Sequence, residues 1–153
     1  MKHLRITPML AGLVVAIFLG SNAVTPAGEQ RVALKGYDPV AYFTEKRAMV
    51  GDPQHQHEWD GAIYRFASAK HLALFKEDPD RYLPQYSNWC AASVAKNLKV
   101  PGNPEHWLVV DGRLYLFGGP AGPGAMSADP AAMKAKADEN WPKVSQLPDP
   151  PQQ

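Results

Sequence analysis

Two stretches of the chain, residues 56–66 and 105–117, have apolar and polar side chains that alternate on either side of an Asp-Gly pair. Asp-Gly suits the two-residue turn of a β-hairpin, because residues in that turn need a positive φ. Sequence with helical features follows the first stretch directly and the second after a glycine-rich run. This order predicts an α+β fold, in which a small antiparallel sheet built from two Asp-Gly hairpins has helices packed on one face.

The two hairpin registers also predict the core. Side chains two residues apart on a strand point the same way, so each hairpin should have one apolar face. We expect these faces to be buried: Trp59, Tyr64 and Phe66 in the first hairpin, and Trp107, Val109, Leu114 and Leu116 in the second.

Capping residues predict where the helices begin and end. Ser68 is a good N-cap for a helix that runs through Glu77. Asp129 caps a final helix in the same way. Between the second hairpin and this last helix, the glycine- and proline-rich residues 118–124 predict a flexible loop.

Residues 1–23 have the three parts of a secretory signal: basic residues at the start, an apolar run over residues 9–19 and small residues at the end. We therefore predict a cleaved signal peptide and a periplasmic or secreted protein that begins near Val24. The apolar run is about half the roughly 20 residues that a membrane-spanning helix needs, so we expect no stable membrane span after cleavage. The remainder is predicted to be a single domain over residues 24–145 and a disordered, proline-rich tail over residues 146–153.

Charge and cysteine content limit the function. Removing residues 1–23 takes away two of the 16 basic residues and none of the 15 acidic ones, which changes the formal net charge from +1 to −1. A nearly neutral protein has no electrostatic footprint for nucleic acid, so we expect no nucleic-acid partner. The chain has one cysteine, Cys90, which cannot form an internal disulfide.

Cys90 has the strongest local chemistry in the sequence. Ser87 or Asn88 can cap a short helix, which would place Cys90 in its first turn, where the helix dipole favours a thiolate. Tyr86 and Trp89 would form an aromatic wall beside it, where we expect them to contact a bound cofactor. Three interpretations of Cys90 stay open: a metal or haem ligand, a redox thiol or intermolecular bridge, and a small apolar residue of the core.

Three histidines could complete a metal site with Cys90. His57 lies on the first hairpin, His71 in the first turn of the following helix and His106 at the start of the second hairpin. Together with the thiolate, these side chains would suit copper or zinc. Each histidine alone can equally be a surface or strand-end residue, because the sequence does not show whether they meet in space.

Three motifs together resemble the YHS domain, in its exported bacterial branch. They are Gly-Tyr-Asp-Pro-Val-Ala-Tyr-Phe at residues 36–43, Tyr-x-Phe-Ala-Ser at residues 64–68 and Phe-x-x-Asp-Pro-x-x-Tyr at residues 75–82. Residues 86–95 and the second hairpin resemble further segments of that branch. The resemblance covers nearly the whole chain after the predicted signal.

The resemblance implies a role in metal handling, since YHS domains include some that are attached to copper-transporting ATPases. Where those domains have cysteines, this chain has Ala41, Ala67 and His71, so the thiolates of a soft-metal site are mostly absent. Within the first motif, Asp38 has a structural interpretation as the cap of a helical turn that Pro39 begins.

These features predict an exported YHS-type binding module for a small ligand or metal ion. The expected ligand is copper, zinc or a metal-bearing cofactor near Cys90. The sequence has no Ser-His-Asp order, phosphate-binding loop or paired-carboxylate motif, which argues against an enzyme. Two alternatives stay open: a thiol redox enzyme that uses Cys90, and a non-catalytic interaction module that forms a homodimer.

Overall fold

The computed structural model describes residues 31–150, and their fold confirms the α+β class. The strands are β1 (Arg31–Val32), β2 (Asp52–Trp59), β3 (Ala62–Phe66), β4 (Asn103–Val110) and β5 (Arg113–Phe117). The α-helices are α1 (Ala41–Thr44), α2 (Ala69–Glu77), α3 (Pro79–Tyr82), α4 (Ala91–Val94), α5 (Ala121–Ala128) and α6 (Pro130–Val144). Within these 120 or so residues, no helix is both long and apolar enough to span a bilayer. The predicted signal peptide lies outside the described residues, and the boundaries of the domain and tail stay predictions.

The strands form two separate sheets, so the expectation of one antiparallel sheet is wrong. The first sheet has the order β1-β3-β2, in which β2 runs antiparallel to β3 and β1 runs parallel to it. The second sheet consists of β4 and β5, which are antiparallel. Asp60-Gly61 connects β2 to β3, Asp111-Gly112 connects β4 to β5, and all four residues have positive φ.

The second sheet is apolar on both faces. On β5, Leu114 and Leu116 belong to a first cluster of buried side chains, whereas Tyr115 and Phe117 belong to a second cluster. A strand that is apolar on both faces has to be covered on both faces, so β4 and β5 lie between the two clusters. Helices α1 to α3 contribute to the first cluster and α4 to α6 to the second. The helices therefore do not pack on one face only, as the sequence had predicted.

Phe66 and Phe75 lie at the centre of the first cluster. The Phe75 ring centroid is 5.0 Å from that of Phe66 and 5.1 Å from that of Tyr64, and all three side chains are buried. For Tyr64 and Phe66 this confirms the prediction. Trp59 was expected beside them, but it is 38% exposed. The reason is its position opposite Ala62 at the last residue of β2, where the sheet ends.

The glycine-rich segment 118–124 is not a flexible loop throughout, because helix α5 begins within it. Gly122 packs directly on Phe117 of β5, and a Cβ at this position would overlap the Phe117 side chain. Pro123 falls in the first turn of the helix, where backbone N–H groups have no intrahelical acceptor, so the proline costs no helical hydrogen bond. Glycine at this position allows a helix to approach a strand closely. The glycine-rich sequence pattern alone had predicted a flexible loop instead.

Candidate functional site

Asp38 is a fully buried carboxylate that accepts four hydrogen bonds. Its Oδ1 accepts the backbone N–H groups of Val40 and Ala41, at 2.8 and 3.3 Å, as the predicted cap would, although α1 begins at Ala41 and not at Pro39. Its Oδ2 accepts the backbone N–H of Ala67 at 2.7 Å and the ring Nδ1–H of His71 at 2.6 Å. Such donors compensate a buried carboxylate for the water it has lost. Asp38 thereby joins the start of α1 to the start of α2.

His71 is the third residue of α2, and its backbone N–H is bonded to the capping hydroxyl of Ser68 at 3.2 Å. Its imidazole is buried rather than lying at the surface edge. Because the Asp38 carboxylate can only accept, Nδ1 carries the proton of this hydrogen bond and Nε2 lies at the outer end of the ring. Nε2 is 3.1 Å from Thr44 Oγ1 and 3.6 Å from Glu45 Oε1.

Thr44 and Glu45 bring this network to the protein surface. Both residues are exposed, and 46% of the Glu45 side chain is accessible. The Thr44 hydroxyl also lies 3.2 Å from the backbone oxygen of Val40, to which it can donate. Two carboxylates therefore flank one imidazole. Both carboxylates would attract a cation bound at Nε2.

Cys90 is the residue before α4 and not part of its first turn. The predicted caps, Ser87 and Asn88, lie instead in the preceding 3₁₀ turn with φ values of 49° and 75°, and the N-cap position of α4 is occupied by Cys90 itself. The Cys90 N–H donates to the backbone oxygen of Val100 at 2.8 Å, and the residue is only 5% exposed within the second cluster. Since α4 has only four residues, its dipole gives a thiolate little support. These surroundings are those of a small apolar core residue.

The structure does not gather Cys90, His71, His57 and His106 into one metal site. Among residues 31–150, no three His, Cys, Asp or Glu side chains are grouped so that they could hold a metal ion. Cys90 belongs to the second cluster, whereas the His57 ring lies 6.4 Å from that of Phe75 in the first. His106 is half-buried on β4. These side chains are carried by different elements, which the fold does not bring to one point.

Tyr86 and Trp89 have different surroundings. Tyr86 is buried in the second cluster and donates to Asp138 Oδ1 at 2.8 Å, and burial together with this bond raises the pKa of its phenol. Trp89 lines a cavity of about 550 Å³. Cys90 lines a different cavity of about 380 Å³. The expected aromatic site around Cys90 is therefore not formed: Tyr86 is packed in the second cluster, and Trp89 and Cys90 line different cavities.

The Asp38–His71 pair is the feature that the sequence concealed. Asp38 reads as a helix cap, and that role uses only one of its two oxygens. Thr44 and Glu45 follow in a polar run that has no signal of its own. A histidine in the first turn of a Ser-capped helix is a weak hint, but 33 residues separate it from Asp38. Only the folded chain shows that they meet.

Comparisons of this chain with models of known families, with curated proteins and with solved structures found no match. The Asp38–His71 network and the cavity beside Trp89 are the two features whose chemistry indicates a function.

Proposed function

We propose that the protein is an exported binding module of the YHS type that holds one borderline divalent cation, copper or zinc, at His71. The protein ligands are Nε2 of His71 and the carboxylate of Glu45, and the Thr44 hydroxyl and solvent complete the coordination. The observation that carries this proposal is the 2.6 Å hydrogen bond from His71 Nδ1 to the buried Asp38 carboxylate.

A carboxylate on the second ring nitrogen is the usual support of a metal-binding histidine. It fixes the tautomer, so that the lone pair is at Nε2, and it makes Nε2 a stronger donor. The ring of His71 is further held by burial and by its position in the capped first turn of α2. Asp38 is accordingly a positioning residue that does not itself touch the ion.

The spacing of the two donors fits a single ion. His71 Nε2 and Glu45 Oε1 are 3.6 Å apart. Two donors that each lie about 2.1 Å from a tetrahedral zinc are separated by about 3.4 Å. Imidazole and carboxylate also suit zinc and Cu(II) better than they suit soft Cu(I). This chemistry favours His71 over the buried Cys90 as the place for the ion.

Zinc titration of the full, untagged protein by calorimetry tests the proposal. We expect one site per chain, and Glu45→Gln should weaken binding about tenfold or more because it removes the anionic ligand. Glu77→Gln is the matched control, since Glu77 is an exposed glutamate at the far end of α2. This control should bind like the wild type. Equal affinities for the two variants, or no saturable binding of zinc or copper, would contradict the proposal.

Export is tested separately, by the intact mass of the protein from its native host. Cleavage after residue 23 gives a periplasmic or secreted chain that begins at or near Val24. A product that retains Met1 in the cytoplasm would contradict this part of the proposal without affecting the metal site.

A further inference from the structure

A cavity of about 550 Å³ is bordered by two 3₁₀ turns, Ala33–Gly36 and Gln85–Asn88. Its apolar wall includes Leu34, Trp89 and Val100. The volume lies within the range of about 300–1,000 Å³ that is typical of small-molecule sites. None of the proposed metal-site residues lines this cavity, so it is a separate feature of the molecule.

Both turns hold their backbone in the left-handed region. The residues concerned, with φ between 49° and 86°, are Leu34, Lys35 and Gly36 in the first turn and Tyr86, Ser87 and Asn88 in the second. Left-handed residues other than glycine cost free energy, and such residues concentrate at functional sites. The fold therefore maintains two strained turns beside one cavity.

The cavity has a positively charged rim. Arg31 and Lys35 both line it, and neither forms an ion pair with any residue of the described range. Asp149 also lines it, but that carboxylate is already paired with Lys99 at 2.8 Å. The net charge at the cavity is therefore positive, which attracts an anionic group.

Asn88 adds a requirement for a hydrogen-bond donor. Its Oδ1 is buried and has no hydrogen-bond partner among the described residues. A buried acceptor without a donor is unfavourable. Because this oxygen has almost no solvent-accessible surface, the Asn88 side chain has to turn toward the cavity before an N–H or O–H group of a ligand can satisfy it. The Trp89 ring, next to Asn88 in the sequence, also lines the cavity, and Lys99 Nζ lies over it at 4.9 Å from the ring centroid.

We propose that this cavity binds a small, flat organic anion that carries an N–H or O–H donor. Its negative group faces Arg31 and Lys35, its donor bonds to Asn88 Oδ1 and its apolar part packs against Trp89. This binding is independent of a metal at His71, because the two sites share no residue.

Two fluorescent probes test the proposal on the full-length folded protein. The dye 8-anilinonaphthalene-1-sulfonate has a sulfonate, an N–H group and fused rings, and N-phenyl-1-naphthylamine is the same molecule without the sulfonate. We expect the sulfonate dye to bind at one per chain, with quenching of tryptophan fluorescence. Lys35→Gln should weaken its binding about tenfold. Arg113→Gln, at an exposed arginine on β5, is the matched control and should have no effect.

The neutral dye separates charge recognition from general apolar binding. It should bind more weakly than the sulfonate dye, and its affinity should be the same for the wild type and for Lys35→Gln. Asn88→Asp should weaken binding of the sulfonate dye, because the carboxylate still accepts a hydrogen bond but repels the sulfonate. Three results would overturn the proposal. Lys35→Gln could leave the affinity for the sulfonate dye unchanged, or it could lower the affinities for both dyes equally. The third is binding of the sulfonate dye that does not saturate at one per chain.

Discussion

Asp38 holds three segments of the chain together through one side chain. Its oxygens bind the N–H groups at the start of α1, the N–H of Ala67 after β3 and the ring of His71 in α2. Because the carboxylate is fully buried, water cannot replace a lost partner. A metal-site variant is therefore better placed at the exposed Glu45 than at Asp38.

Asp38→Ala should lower the free energy of unfolding by about 3–5 kcal/mol, because it leaves the Ala67 N–H and the His71 ring without their partner in the interior. Asp78→Ala is the matched control. Asp78 is an exposed cap whose side chain accepts one bond, from the Arg81 N–H at 3.3 Å, so its loss should cost about 1 kcal/mol. Urea unfolding followed by circular dichroism measures both. Equal losses of unfolding free energy in the two variants would show that the buried network stabilises the protein no more than an exposed cap does.

At the scale of elements, α5 packs against β4 and α4, and at Gly122 it also comes very close to β5. Gly122 lies against Phe117, whereas Gly124 in the same helix faces open space. The two glycines therefore have opposite roles, although the sequence presents them as parts of one glycine-rich run.

Gly122→Ala should lower stability by about 1–3 kcal/mol, because the added methyl group overlaps the Phe117 side chain. Gly124→Ala should raise stability by about 0.5–1 kcal/mol, because alanine restricts the unfolded chain and meets no neighbour. The midpoints of thermal and urea denaturation should therefore shift in opposite directions for the two variants. Two shifts of the same sign would contradict the contact between α5 and β5.

The first hairpin offers a second matched pair, at Phe66 and Trp59. Phe66→Ala should lower stability by about 3–5 kcal/mol, a large part of the roughly 5–15 kcal/mol expected for a whole domain. Trp59→Ala should cost about 1 kcal/mol or less, since the indole is substantially exposed. Urea unfolding of both variants measures the difference. Comparable losses would mean that Trp59 is part of the core after all.

At the scale of the whole molecule, tyrosines connect the layers. The Tyr42 hydroxyl donates to the backbone oxygen of Pro104 at 2.9 Å, which links α1 to β4. The Tyr86 hydroxyl links the second 3₁₀ turn to Asp138 of α6. Burial raises the pKa of Tyr42, Tyr64 and Tyr115 as well as that of Tyr86.

Stability should therefore fall above pH about 10, where phenols of the unfolded chain lose their protons while those of the folded protein keep them. Below that pH both states are protonated and this contribution is fully present. Each buried phenol should reduce the free energy of unfolding by about 1.4 kcal/mol per pH unit until its own raised pKa is reached. Urea unfolding across this range measures the slope, and Tyr42→Phe should reduce it. An unchanged slope, with tyrosinate absorbance already appearing near pH 10 in the folded protein, would contradict the prediction.

Helix boundaries could be predicted because capping depends on residues three apart in the chain. Helix α2 runs over Ala69–Glu77 with Ser68 as its cap, as predicted. Helix α6 follows Asp129, whose side chain accepts from the Ala132 N–H at 3.0 Å. The same local rules misplaced the start of α4, because Ser87 and Asn88 have a left-handed backbone and the Asn88 carbonyl accepts the N–H of Gly102, which is remote in sequence.

The sequence by itself determined the α+β class, the capped helices and the buried aromatic residues of β3, since these follow from side-chain periodicity and short-range hydrogen bonds. Only the tertiary structure decided that Asp38 bonds to His71, that Cys90 lies in a separate cluster and that Trp89 faces a cavity with Arg31 and Lys35. The physical reason is range. Periodicity shows which face of an element is apolar, but which elements meet depends on how all the apolar faces can be covered at once.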